Sequence, residues 1–272
     1  QLKCHYCSYE EHMPRQCPEC SSDSIRYFGT GTQRVEESLN ELMPHARVIR
    51  MDVDTTRKKG SHEKLLTSFA KREADILLGT QMIAKGLDFA NVTLVGVLTA
   101  DSMLHLPDFR SSEKTFQLLT QVSGRAGRHE LPGHVIVQSY TPDHYSIQLA
   151  SHYDYNQFFL REMQIRKTFR YPPYVYLSLV TVSHPNHVKV VQITQRIVQL
   201  LLKVVGEDTV VLGPTPSPIA RMKDRYRYQC MIKYKNEPNL RKYLKKIIDQ
   251  FAEEVRKEDL LITIDMQPYH LM

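Results

Sequence analysis

The chain has 272 residues, 42% of them hydrophobic and 24% charged, with a formal net charge of +6. That composition excludes a disordered or fibrous chain, provides for one or two sizeable cores, and at this length suggests two domains. No apolar run approaches the ~18 residues a bilayer span needs, and no apolar leader opens the sequence. A soluble, cytoplasmic protein without a membrane partner is therefore expected.

Residues 1–24 are loop-rich and hold four of the five cysteines, Cys4, Cys7, Cys17 and Cys20, leaving Cys230 alone. Two Cys-x2-Cys pairs supply four thiolates from two tight turns, the donor set of a tetrahedral zinc ion. A redox dithiol and four free thiols are the alternatives. Four thiolates leave no open coordination position, so the zinc is expected to be structural, with His5 and His12 facing solvent.

Over residues 25–145, short apolar runs alternate with helical patterns: strands at IRYF, RVIRM, DILLGT, VTLVGVL and HVIVQSY, helices at about 32–43, 61–71 and 111–122. Alternation of this kind predicts an α/β lobe with a parallel sheet, whose ligands gather at the carboxyl ends of strands. Just beyond the third strand stand Thr80 and Gln81 as hydrogen-bond donors, Lys85 as a phosphate-seeking cation, Gly86 as a point of close approach and Asp88 as a ribose acceptor. The plainer alternative makes Lys85-Gly86 a helix C-cap and Asp88 a turn residue. One strand and one helix later, TQVSGRAGR (120–128) sets Arg125 and Arg128 each behind a glycine, which suits bidentate contact with phosphate oxygens. No G-x-x-x-x-G-K-[ST] loop, the usual triphosphate cradle, occurs anywhere in the chain.

Residues 146–173 read as a linker helix followed by the turn Tyr171-Pro172-Pro173-Tyr174, and 174–272 as strand, helix, strand, strand, helix, strand. Val190, Ile193, Ile197, Leu200 and Val204 share one helix face, as do Leu240, Leu244, Ile247, Phe251 and Val255, while Ile262, Ile264 and Met266 alternate with polar residues. A βαββαβ order suggests a ferredoxin-like α+β sandwich. The basic excess concentrates here: residues 221–257 hold twelve Lys or Arg against five Asp or Glu, leaving 24 against 25 elsewhere. Within that stretch Arg225, Tyr226, Arg227 and Tyr228 interleave cations for phosphates with aromatics for bases, as single-strand binding uses. Alternation also fits a strand with tyrosines on its buried face and arginines on its wet one.

The order of GTQMIAKGLDF (80–89 with Gly79) before QVSGRAGR resembles motifs V and VI of superfamily 2 helicases. The preceding cysteine pairs, GTGTQRVEESL (29–39), DFRSSEKTFQLLTQVSGRAGR (108–128) and the Tyr-Pro-Pro-Tyr turn are similar to the primosomal replication-restart helicases within that superfamily. The resemblance implies a RecA-like second lobe between a zinc region and a C-terminal domain that engages DNA and partners. It implies an ATP-dependent 3′-to-5′ DNA helicase acting with Mg2+, recognising single-stranded and forked DNA at replication forks, and meeting single-strand DNA-binding protein and primosome or helicase-loader proteins. Arg125, Arg128 and Gln121 would serve catalysis, Gly86 and Asp88 the nucleotide, and Thr80, Gln81 and Lys85 the single strand. The P-loop belongs to the first lobe in that family, so these 272 residues alone should be inactive, with Arg125 and Arg128 facing solvent. The family carries two further cysteine pairs upstream and interleaves its pairs over two zinc ions, which leaves open whether Cys4 and Cys7 share an ion with Cys17 and Cys20. A different expectation is a non-catalytic, zinc-containing nucleic-acid-binding adaptor with a degenerate RecA-like lobe.

Overall fold

The computed structural model describes residues 2–3, 10–11, 16, 20–22, 31–80, 83, 89, 91–127 and 132–271. Two short strands, β1 (Leu2–Lys3) and β2 (Glu10–Glu11), pair antiparallel, with Lys3 opposite Glu10. The expected strand at IRYF lies outside the described residues. The chain divides into two compact units, one formed by residues 24–106 and 110–159, the other by 1–23, 107–109 and 160–272.

The first unit follows the expected alternation: α1 (Thr32–Leu42), β3 (Val48–Met51), α2 (Ser61–Ala70), β4 (Ile76–Gly79), β5 (Leu94–Val97), α3 (Asp101–Leu104), α4 (Ser111–Ser123), β6 (His134–Val137) and α5 (Tyr145–Ser151). Among the described residues its strands form two parallel pairs, β3 with β4 and β5 with β6, rather than one continuous sheet. The segment expected to be one linker helix is broken after α5 at Tyr153, whose φ of 55° lies in the left-handed region, and resumes as α6 (Tyr155–Thr168). Tyr145, Ile147, Ala150 and Phe158 bury with Phe116 and Leu119 of α4, Phe116 and Phe158 stacking with centroids 4.1 Å apart. This apolar cluster draws α5 and the first turn of α6 into the unit.

In the second unit β7 (Tyr176–His184), α7 (His187–Leu202), β8 (Val210–Met222), β9 (Arg225–Tyr234), α8 (Leu240–Asp249), α9 (Ala252–Lys257) and β10 (Leu261–Met266) keep the βαββαβ order, with the second helix in two pieces. The strands form one antiparallel sheet in the order β10-β7-β9-β8. Asn186 caps α7, its side-chain oxygen accepting from the Lys189 N–H at 3.1 Å. The core lies on the helix-covered face, where Val190, Ile197 and Leu201 of α7 and Leu240, Leu244 and Ile247 of α8 meet Val180, Val182, Cys230 and Ile232. Val255, expected on the second helix's apolar stripe, is instead 41% exposed, because the break at Gln250–Phe251 resets the helical phase before α9. β8 is longer than its apolar run: GPTPSPIA lies within it, its pairing interrupted between Leu212 and Thr215 and again between Pro216 and Arg221. Prolines cannot donate to a ladder, and β8 tolerates three of them because it is the edge strand.

Candidate nucleotide and nucleic-acid interface

The GRAG turn follows directly from the end of α4. Gly124 caps the helix, its N–H reaching the Thr120 carbonyl at 3.2 Å, and the Arg125 N–H bonds the Val122 carbonyl at 3.0 Å. Gly127 then takes a φ of 70° and donates to the Val92 carbonyl at 3.1 Å, tying the turn to the segment before β5. Gly133 closes against the same backbone so tightly that a Cβ there would fall on the Gly127 nitrogen. Both positions need glycine for geometric reasons: a left-handed φ at one, backbone-on-backbone approach at the other. Gln121 is exposed, but Arg125 is half-buried and engaged rather than facing solvent as expected for it. Arg128 lies outside the described residues.

A second group collects at the carboxyl ends of β3 and β4, where parallel sheets take ligands. Gly79 ends β4 so close to β3 that a Cβ would come 2.5 Å from the Met51 carbonyl oxygen, and exposed Thr80 follows. Thr32 of the GTGTQ segment donates its hydroxyl to Asp52 Oδ2 at 2.6 Å, linking the start of α1 to the end of β3. This bond, with the Thr55 N–H and the Arg50 guanidinium, holds the Asp52 carboxyl below the usual carboxylate range. Arg50 also reaches Glu36 at 3.3 Å. Sequence reasoning passed over Arg50 and Asp52 because neither stands in a spaced motif. Gln81, Lys85, Gly86 and Asp88 are outside the described residues, as are Cys4, Cys7 and Cys17 of the expected zinc set; Cys20 is described and exposed.

The basic strand shows how one alternation serves two faces. Tyr226, Tyr228 and Tyr234 pack against the helix-covered core, while Met231, on the opposite face, packs with Val175, Leu177 and Leu271. Arg225 is committed to internal contacts: Nε donates to Ser183 Oγ at 2.8 Å, Nη2 to the carbonyls of Ser183 and Asp259, and Nη1 pairs with the Asp259 carboxylate at 2.6 Å. Arg225 thereby holds the Asp259 carboxyl below its ordinary pKa. Arg227, two residues on, has no hydrogen bond or ion pair among the described residues and is half-buried. His187 completes the tyrosine cluster edge-on, 5.0 Å from the Tyr226 ring and 5.6 Å from Tyr228, with Nε2 3.2 Å from the Tyr228 hydroxyl; Arg221 lies 5.3 Å from the Tyr226 centroid. His187 comes from α7, forty residues away in sequence, so no local pattern could have placed it there.

These features define a protein with one helicase-type lobe and one compact α+β domain. Residues 15–130 match the helicase conserved C-terminal domain, and residues 167–269 the primosomal protein N C-terminal domain. Over all 272 residues the chain is 63% identical to the replication restart protein PriA of Bacillus subtilis, covering 34% of that protein. It is 44% identical to PriA of Synechocystis over 98% of the chain and 32% of the relative, and 33% identical to PriA of Haemophilus influenzae over 99% and 37%. The chain belongs to the PriA family of replication restart proteins and spans about a third of the length of these relatives. Among the described residues no helix is long and apolar enough to cross a membrane.

Proposed function

We propose that the chain is the second motor lobe and C-terminal domain of an ATP-dependent 3′-to-5′ DNA helicase that recognises stalled or forked DNA and initiates primosome assembly. The observation that carries this reading is the match of the two halves, in order, to a helicase C-terminal domain and a primosomal C-terminal domain. Arg125 and Arg128 then face a nucleotide held with Mg2+ by a P-loop lobe, with Gln121, Gly86 and Asp88 nearby and Thr80, Gln81 and Lys85 toward the single strand. The glycine-locked turn supports this assignment, since it fixes the backbone from which Arg125 projects. An arginine placed on a transferring phosphoryl group raises turnover by about 10³ to 10⁵.

Replacing Arg128 by Ala in the full-length protein should therefore abolish ATP turnover while DNA affinity, measured by fluorescence anisotropy, stays within about threefold, the scale of losing at most one phosphate contact. Equal loss of both would make Arg128 a DNA contact instead. The 272-residue chain by itself should not hydrolyse ATP, and stoichiometric DNA-stimulated hydrolysis would refute the two-lobe reading.

For the second unit, the βαββαβ order and antiparallel sheet support a ferredoxin-like sandwich. Its basic strand supports engagement of single-stranded and forked DNA, and its exposed Arg241, Lys242, Lys245 and Lys246 an acidic partner such as single-strand DNA-binding protein; loader proteins would join the same assembly. The donor set of two Cys-x2-Cys pairs fits zinc, which would cross-link the amino-terminal segment through Cys4, Cys7, Cys17 and Cys20. The protein would work in the cytoplasm, at the nucleoid.

A further inference from the structure

The segment GPTPSPIA (213–220) plays no part in the function proposed above, yet it opens the edge of the second unit's sheet at a definite place. Pro216 pairs with Tyr228 and Arg221 with Tyr226, so residues 217–220 of β8 stand against Arg227 alone. A bulge of this kind leaves residues out of the ladder and re-aims their side chains, a device that recurs beside binding sites.

Two buried polar atoms flank this opening without a hydrogen-bond partner among the described residues. Ser217, where the bulge begins, is 3% exposed and its Oγ is unpaired; Gln229, two residues from Arg227 on β9, is 8% exposed and its Oε1 is unpaired. The half-buried Arg227 guanidinium has no hydrogen bond or ion pair among them either. At the level of Gln229 the four strands align Thr263, Thr181, Gln229 and Thr215 on the face away from the helices, and Thr263 and Thr215 are exposed. The tyrosines of β9 take the other face.

Buried polar atoms are almost always paired, and an unpaired one lowers stability, so two at one opening mark a place where a ligand completes the bonding. The Gln229 Oε1 only accepts and needs an N–H or O–H from the ligand, the Ser217 hydroxyl gives or takes, and Arg227 calls for an anion. A phosphate alone satisfies Arg227 but not Gln229. A nucleotide residue satisfies both, because every nucleobase carries an N–H donor on its pairing edge. An extended peptide also has N–H donors, but strand addition requires backbone donors along the edge, and Pro214, Pro216 and Pro218 remove them from β8.

We propose that the β8 bulge is a subsite for one nucleotide residue of a single-stranded nucleic acid, with its phosphate on Arg227 and the pairing edge of its base on Gln229 Oε1 and Ser217 Oγ. The proposal rests on the nucleic-acid reading of β9 and changes its chemistry. The base is held by its edge against β8 rather than stacked on Tyr226 or Tyr228, whose rings pack against the core.

The test compares full-length wild type with Ser217→Ala, Gln229→Met and Arg227→Ala. Affinities for a short single-stranded oligonucleotide and for an abasic oligomer of the same length are measured by fluorescence anisotropy, and stability by urea unfolding. One neutral hydrogen bond corresponds to about fivefold in affinity, so Ser217→Ala and Gln229→Met should each weaken oligonucleotide binding by about that factor and leave the abasic oligomer within about twofold. Their unfolding midpoints should stay level or rise, since each change removes an atom that is unpaired in the free protein. Arg227→Ala should weaken both probes.

A lowered midpoint with unchanged affinity would make Ser217 and Gln229 structural and overturns the proposal. Equal weakening of both probes by Gln229→Met overturns it too, because the loss would then lie at the phosphate. If the wild-type protein does not bind the oligonucleotide, the nucleic-acid reading of β9 and the subsite fail together; wild-type binding that all three variants preserve removes the subsite alone.

Discussion

Arg225 and Arg227 stand two residues apart on one strand face, and the structure gives them different surroundings. Arg225 donates to Ser183 Oγ and to two backbone carbonyls while only 21% of its side chain is exposed. Hydrogen bonds from a charged donor contribute about 1.5–3 kcal/mol when their loss leaves a partner unsatisfied, and the ion pair with the largely exposed Asp259 adds little beyond them. Arg225→Ala should therefore cost about 2–3 kcal/mol, allowing for non-additivity within one guanidinium. At a slope of about 2 kcal/mol per molar of urea, the unfolding midpoint falls by about 1 to 1.5 M.

Arg227→Ala should leave the midpoint within the ~0.5 kcal/mol expected of a surface change. If Arg227 meets a phosphate, that variant should flatten the dependence of log K on log salt for a single-stranded oligonucleotide by about 0.7, one released counterion's worth. The two measurements cross: stability should report Arg225 and salt dependence should report Arg227. An unfolding midpoint unmoved by Arg225→Ala, or a salt slope unmoved by Arg227→Ala, would refute the assignment of the corresponding residue.

Three further outcomes are expected. Buried Asp101 accepts from Ser139 Oγ, the Tyr140 and Thr141 N–H groups and Thr141 Oγ1; burial pulls its pKa up, but the bonds from Thr141, Tyr140 and Ser139 outweigh it and hold the carboxyl at about 2, below the unfolded 3.8. Its contribution is thus complete above pH 3.8 and is lost as pH falls toward 2. Asp101→Asn should destabilise the first unit at neutral pH and flatten its acid unfolding profile followed by circular dichroism; an unchanged profile would exclude this carboxyl as a source of acid lability. Gly133→Ala forces a Cβ onto the Gly127 backbone and should cost about 2 kcal/mol or more in thermal unfolding, a cost that a tolerant turn would not show. Cys20→Ser should lower the zinc content per chain measured by atomic absorption, and an unchanged content would remove Cys20 from the ligand set.

Much of the second unit was legible because its signals are local and periodic. The stripes through Val190, Ile197, Leu240, Leu244 and Ile247 became the buried helix faces, and Ile262, Ile264 and Met266 turned to the helix side as their alternation requires. In β9 the two readings of Arg225–Tyr228 were separable only by packing: the tyrosines met the core, and one arginine was drawn into a corner by Ser183 and Asp259. GPTPSPIA lies within β8 although its prolines lack donors; its place at the edge of the sheet, which removes that objection, depends on which strands pair. The left-handed break at Tyr153 carried no glycine or proline to announce it.

By itself, then, the sequence determined the element order, the two helix faces that build the core, the paired cysteines and the position of the GRAG arginines behind glycines, since each follows from residue type and spacing along one element. Tertiary structure alone decided what lies further apart along the chain: His187 beside Tyr226 and Tyr228, and Gly133 against Gly127. Periodicity reports which way a side chain points from its own backbone, whereas the partner it meets is set by how the elements pack.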